Sequence, residues 1–194
     1  MDRFEAAIDT DGRRLAEGLL FLVLFCLTIP GADYLTMHVG YVCEPDGPCK
    51  VPIAPGIMST SGAFAIGFTF VLRDFIQRRF GVAVSACAVV MGAALAGFLA
   101  PPALVVASGV GILVAGFVDL LVYTLLVRKN FVTAVVVSSV ISSVVDSAIF
   151  LWLAFSSLDL LMGQTLAKTW VILAVLPLTW WMWKRDMRIG LAAA

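Results

Sequence analysis

The stretch FVTAVVVSSVISSVVDSAIFLWLAF, Phe131 to Phe155, decides what kind of molecule this chain makes. Its only charge is Asp146, in a run of apolar and hydroxylic residues longer than the roughly 20 a helix needs to cross a bilayer core. Five more such stretches accompany it: Leu15 to Met37, Pro55 to Leu72, Val82 to Ala100, Ala103 to Val127 and Gln164 to Trp183. Composition agrees, with 61% of the 194 residues hydrophobic, 13% charged and a mean hydropathy of +1.03. Such a chain has too few charges to cover a water-facing surface. The reading is an all-α polytopic membrane protein with six transmembrane helices. It comprises a cytoplasmic segment 1–14, a single membrane domain 15–183 and a cytoplasmic tail 184–194.

Net charge is zero, but the 13 basic residues are placed unevenly. Arg3, Arg13 and Arg14 precede the first span; Arg73, Arg78 and Arg79 follow the second; Arg128 and Lys129 follow the fourth; Lys184, Arg185 and Arg188 follow the sixth. If the spans alternate, these share one side, leaving Lys50 opposite and Lys168 within a span. The positive-inside rule then puts both termini in the cytoplasm of a multi-pass inner-membrane protein. The amino terminus carries several acids and no small-residue cleavage site, so the first span is expected to be retained rather than cleaved as a signal peptide. Trp180, Trp181 and Trp183 suit an interfacial aromatic belt.

Cys26 and Cys87 fall in apolar spans and read as small buried hydrophobes. Cys43 and Cys49 bracket CEPDGPC in the first external loop, where a disulfide is one of two open possibilities. Zinc is disfavoured, with only His38 nearby, and no metal or other cofactor is expected. Gly62 and Gly67, and Ala88, Gly92 and Ala96 at four-residue spacing, read as close helix contacts. Gly109, Gly111 and Gly116 read the same way, or as loosening a helix beside a cavity.

A carboxylate inside a span costs a few kcal/mol, so it should face a cavity, a partner or a substrate. Asp119 and Asp146 are in that position. Ser139, Ser142, Ser143, Asp146 and Phe150 follow three- and four-residue steps along one helix face, and Asp119 and Tyr123 stand four apart on the preceding helix, where they can form a facing stripe. The plainer alternative is that the acids tie helices together, with Lys168 as a partner. Asp74, with Arg73, Arg78 and Arg79, reads as a solvated loop that fixes topology, or as an inner gate in which Asp74 pairs with an arginine such as Arg73.

These residues carry a resemblance. SSVISSVVDSAIFLWLAF and GQTLAKTWVILAVLPLTW, with VAGFVDLLVYTLLVRKN and FTFVLRDFIQRRFG, resemble the queuosine precursor transporter family, also called the vitamin uptake transporter family. The resemblance spans roughly Pro55 to Trp183. It implies a six-helix importer of 7-deazaguanine precursors, with a fold similar to the substrate-binding subunits of energy-coupling-factor transporters. Carried over, the family's membrane acids fall on Asp119 and Asp146, its following aromatic on Phe150, its last-helix polar pair on Gln164 and Lys168, and its loop acid on Asp74. Arg78 stands where family members often have glutamate, and the two-cysteine loop is not a family feature.

The chemistry is compatible. A 7-deazaguanine presents a ring N–H beside an exocyclic amine, which a carboxylate such as Asp146 or Asp119 accepts in bidentate fashion. Gln164 or Lys168 can donate to its carbonyl, and Phe150, Tyr123 or Trp152 offers an aromatic face. No phosphate-binding loop occurs, so facilitated, proton-coupled and partner-energised transport stay open, as does the oligomeric state. The expected partners are the small-molecule substrate and the lipid bilayer, with no nucleic acid. Alternatives are a vitamin-type substrate-binding subunit and a non-transporting assembly protein. An intramembrane aspartyl hydrolase is disfavoured because the acids sit in GFVD and SVVD, outside the usual protease contexts, and no enzymatic activity is expected.

Overall fold

The structure, a computed structural model, describes the backbone of residues 2–43, 47–100, 102 and 104–189, and within these ranges the side chains from residue 11 onward. The described residues form six α-helices and one small sheet: α1 Asp2–His38, β1 Val42–Cys43, β2 Cys49–Ala54, β3 Ile57–Thr60, α2 Ala63–Phe80, α3 Val82–Leu99, α4 Val105–Leu126, α5 Phe131–Phe155 and α6 Leu161–Ile189. Five helical stretches are long and apolar enough to cross a membrane: Asp11–His38 of α1, together with α3, α4, α5 and α6. Their outer faces are apolar, as Leu19, Leu27, Val90, Leu121, Leu125 and Trp170 illustrate, and a bilayer is the solvent that suits them.

Two expectations need correction. The chain is mostly helical, as expected, but β1 and β2, in the expected loop, and β3, in the expected start of the second span, form an antiparallel sheet of order β1-β2-β3. The reason is local. Pro55-Gly56 is a turn signal, Gly56 adopts φ +74, and the β-branched Val51, Ile53 and Ile57 flank it, so the segment closes a hairpin instead of starting a helix. Cys43 and Cys49 face each other across β1 and β2 and are joined by a disulfide.

The second correction is the span itself. The helix expected over Pro55 to Leu72 begins at Ala63 and runs on to Phe80, so Arg73, Asp74, Arg78 and Arg79 lie in a buried helix rather than in a solvated loop. α2 packs against α1, α3, α4, α5 and α6, and every residue from Thr69 to Arg79 is buried. Over the stretch Thr69 to Arg79, where protein encloses it, such a helix can carry charges that lipid would reject, provided the neighbours supply partners.

Apolar packing divides around α2. Leu72 and Ile76 meet Phe25 and Ile29 of α1 and Ala88 and Ala96 of α3, whereas Val71 and Phe75 meet Tyr123, Phe131, Val135 and Ile172. The small residues act as close contacts. A Cβ on Gly92 would strike Ile29 and Phe25, and one on Gly116 would strike Val89. At Gly67 the obstacle is backbone: its Cβ would sit 2.9 Å from the Cα of Lys168, which cannot swing aside as a side chain can. Gly67→Ala is therefore expected to push α2 from α6 and cost roughly 1–3 kcal/mol, read as a lowered midpoint of thermal unfolding in detergent. An unchanged midpoint would refute the close approach.

At the end of the bundle where the basic residues gather, ion pairs join α1, α2 and α6. Asp186 accepts from Arg79 Nη1 at 2.9 Å, Arg79 Nη2 at 3.0 Å and Arg78 Nε at 2.7 Å. Glu17 accepts from Arg79 Nε at 2.9 Å and from Arg185 Nη2 at 2.7 Å. α6 thus runs past the expected Trp183 terminus, because Arg185 and Asp186 have partners on the neighbouring helices. Trp180 and Trp181 face outward here, with Lys184 Nζ 3.6 Å from the Trp180 ring centre.

Candidate substrate site

Two polar assemblies occupy the interior. The first surrounds a cleft of about 400 Å³, part of it open to the surroundings, formed by α1, α2, α4, α5, α6 and β3 near the sheet end. α5 contributes Asp146 and Phe150, one turn apart, and α6 contributes Gln164 and Lys168, likewise one turn apart. Lys168 Nζ donates to Asp146 Oδ2 at 2.6 Å and to Ser147 Oγ at 2.7 Å, in a site where Lys168 is 1% exposed. Gln164 Nε2 donates to Thr60 Oγ1 at 3.0 Å, which ties the last strand to α6. Gly163 lies directly beneath the Met58 carbonyl, so the hairpin rests on the first turn of α6.

Asp33 of α1 and Ser108 of α4 close the cleft. Ser108 Oγ donates to Asp33 Oδ1 at 3.0 Å, while Asp33 Oδ2 is buried without a hydrogen-bond partner among the described residues. Sequence reasoning missed both residues. The signal for Asp33 is the one that marks Asp119 and Asp146, an acid within an apolar run, but its place near the end of the run also suits the interface. Thr60 was hidden because its segment reads as helix.

The second assembly lies further toward the basic end. Arg73, about 10 Å along α2 from the cleft residue Ile66, brings Nη2 against Asp74 Oδ1 and to 2.6 Å from Asp119 Oδ2. Its Nη1 donates to the Gly116 carbonyl at 3.0 Å. Ser138 Oγ donates to Asp74 Oδ2 at 3.3 Å, and Ser138 and Ser142 stand beside Asp119. Tyr123 is enclosed one turn below Asp119, its hydroxyl unpartnered among the described residues, as are the hydroxyls of Ser139, Ser142 and Ser143. The α4 and α5 stripes do face each other.

Of the residues singled out in the sequence, the structure therefore brings Asp146, Phe150, Gln164 and Lys168 to one cleft. It gathers Asp119, Tyr123 and Ser142 with Arg73 and Asp74 into a separate buried cluster, while Ser143 is buried on α5 without a partner among the described residues. Trp152 points outward at 60% exposure and faces neither. A second, small and mainly apolar cavity lies between the two assemblies and is lined by both Asp146 and Arg73. Among the described residues, no group of three His, Cys, Asp or Glu stands ready to hold a metal.

A multi-pass helical membrane protein with carboxylates, an ammonium, an amide and an aromatic ring around an interior cleft has the construction of a small-molecule carrier. Residues 93–182, somewhat under half of the chain, match the family model described as "Putative vitamin uptake transporter". The matched part runs from α3 to α6 and includes Asp119, Asp146, Phe150, Gln164 and Lys168; α1, the sheet and α2 lie outside it. That similarity points to vitamin-type uptake. Searches of curated proteins and of solved structures returned no match.

Proposed function

We propose that this protein is a six-span importer of a 7-deazaguanine precursor of queuosine, such as 7-cyano-7-deazaguanine, with both termini in the cytoplasm. The observation that carries this reading is the cleft itself. It gathers acceptors on Asp33 and Asp146, donors on Lys168 and Gln164, and the ring of Phe150 around one cleft. A bicyclic base with a donor edge and a carbonyl needs those groups.

Direction and topology follow from charge. Arg79, Arg185 and the other basic residues gather at the end opposite the sheet, which supports placing that end in the cytoplasm and the disulfide hairpin outside. The small apolar cavity lined by Asp146 and Arg73 lies between the cleft and the basic end, where a route across the protein would pass. α2 counts as the sixth span on this reading, shielded from lipid by its neighbours.

A purely structural role for the polar residues accounts for the Asp146–Lys168 pair, but it leaves the free oxygen of Asp33 unexplained. The test is supply of 7-cyano-7-deazaguanine to cells unable to make it, scored as queuosine-type modification of tRNA. The wild type should restore modification, and Asp146→Asn, at equal membrane abundance, should not. Failure of an inserted, folded wild type to restore it would overturn the substrate assignment.

A further inference from the structure

On that uptake reading, one question is which carboxylate reads the ligand's donor edge, and the structure favours a residue outside the region matched by the family model. Asp146 is already committed. Its Oδ2 holds Lys168 at 2.6 Å, and Lys168 is 1% exposed, so turning Asp146 toward a ligand would strand a buried ammonium. On the other side of Asp146, α4 approaches so closely that a Cβ on Gly111 would lie 3.1 Å from Oδ1.

Asp33 differs in having no cationic partner among the described residues. It is 7% exposed and lines the same cleft. Its Oδ1 accepts one neutral hydrogen bond, from Ser108 Oγ at 3.0 Å, and it forms no ion pair among the described residues. Oδ2 accepts nothing there. A carboxylate has about four acceptor sites, so at least one on Oδ2 and a second on Oδ1 remain for a ligand. Buried polar atoms are normally satisfied, so the Oδ2 of a cleft-lining carboxylate with no partner calls for one.

We propose that Asp33 is the specificity-determining carboxylate: it accepts two parallel hydrogen bonds from a planar heterocycle whose ring N–H lies beside an exocyclic amine. The Asp146–Lys168 pair then takes the opposite part of the ligand. Lys168 has three N–H donors, of which Asp146 and Ser147 use two, and the third reaches the ligand's carbonyl. The ligand class is a neutral fused-ring base with a guanine-like edge. Two charge-assisted bonds in an enclosed site discriminate strongly against a base that lacks the amine.

The experiment measures binding of 7-cyano-7-deazaguanine and of its analogue without the exocyclic amine, 7-cyano-7-deazahypoxanthine, to the purified full chain in lipid nanodiscs. The wild type is expected to prefer the amine-bearing base by about 10- to 100-fold, as one hydrogen bond to a charged group provides. Asp33→Asn should reduce that preference to within about 3-fold. Asp146→Asn should weaken both bases together and keep the preference, because it disturbs the lysine rather than the donor edge. Asp33→Asn with the preference intact would overturn the assignment. Should Asp33→Asn not fold, Ser108→Ala is the second variant: it releases Oδ1 and should change the preference by at least about 3-fold, and an unchanged ratio refutes the role. A folded wild type that binds neither base refutes the uptake reading instead, and the inference falls with it.

Discussion

Arg73→Leu is expected to deprive the membrane of most folded protein. Asp74 and Asp119 are both completely buried, and Arg73 is the one cation within ion-pair distance of either among the described residues. Its fork also supplies the Gly116 carbonyl with a donor, so one side chain joins α2 to two sites on α4. Removing it leaves two buried carboxylates facing each other, where breaking even one buried pair costs about 3–5 kcal/mol. That is comparable with the whole stability of many domains. For a chain of this size the unfolding midpoint should fall by roughly 6–20 °C. Arg73→Lys keeps the charge but loses the planar fork and should fall in between. Replacing Asp119 by Asn in the Arg73→Leu background should recover part of the loss, since one stranded charge is then gone. The measurement is thermal unfolding followed by size-exclusion chromatography in detergent. A single Arg73→Leu variant melting with the wild type would show that the cluster does not hold the helices as described.

Lys168→Met is expected to have the second large effect, and here stability and transport separate. The methionine fills the cavity but leaves Asp146, 5% exposed, without its ammonium, so roughly 3–5 kcal/mol should again be lost. Adding Asp146→Asn removes the stranded charge and should return the unfolding midpoint close to that of the wild type. Uptake should not return, because the double variant has neither the ammonium for the ligand's carbonyl nor the carboxylate that aims it. If the double variant recovers uptake along with stability, the pair is only a tie between α5 and α6, and the ligand site lies elsewhere.

The lipid-facing helices were legible because partition into a bilayer is a local property. A window of about 20 residues contains what decides it, and α5 begins and ends where its apolar run does. Asn130 adds a cap at its start by accepting from the Thr133 N–H at 3.1 Å, and Ser156 ends it with φ 50. α2 failed the same reading for a physical reason. Its charges look like a loop when lipid or water is assumed to surround them, and only the five helices packed around it make burial tolerable. The hairpin was missed because Pro55 to Thr60 was read as the start of a helix, although Pro55-Gly56 marks the turn.

The site divides along the same line. Four of its residues could be placed on helix faces from three- and four-residue steps alone, since periodicity within one helix is encoded in that helix. Asp33, Ser108 and Thr60 could not be joined to them, because their contribution depends on how α1, α4 and the hairpin are rotated and seated against α5 and α6. By itself, therefore, the sequence determined that this is a multi-pass helical membrane protein and which of its helices carry charges at a cost. The tertiary structure alone decided which charge meets which: Asp146 takes Lys168, Asp119 shares Arg73 with Asp74, and Asp33 keeps an oxygen free. Ion pairing inside a bundle is set by helix rotation and packing across the chain, and no local window of sequence contains it.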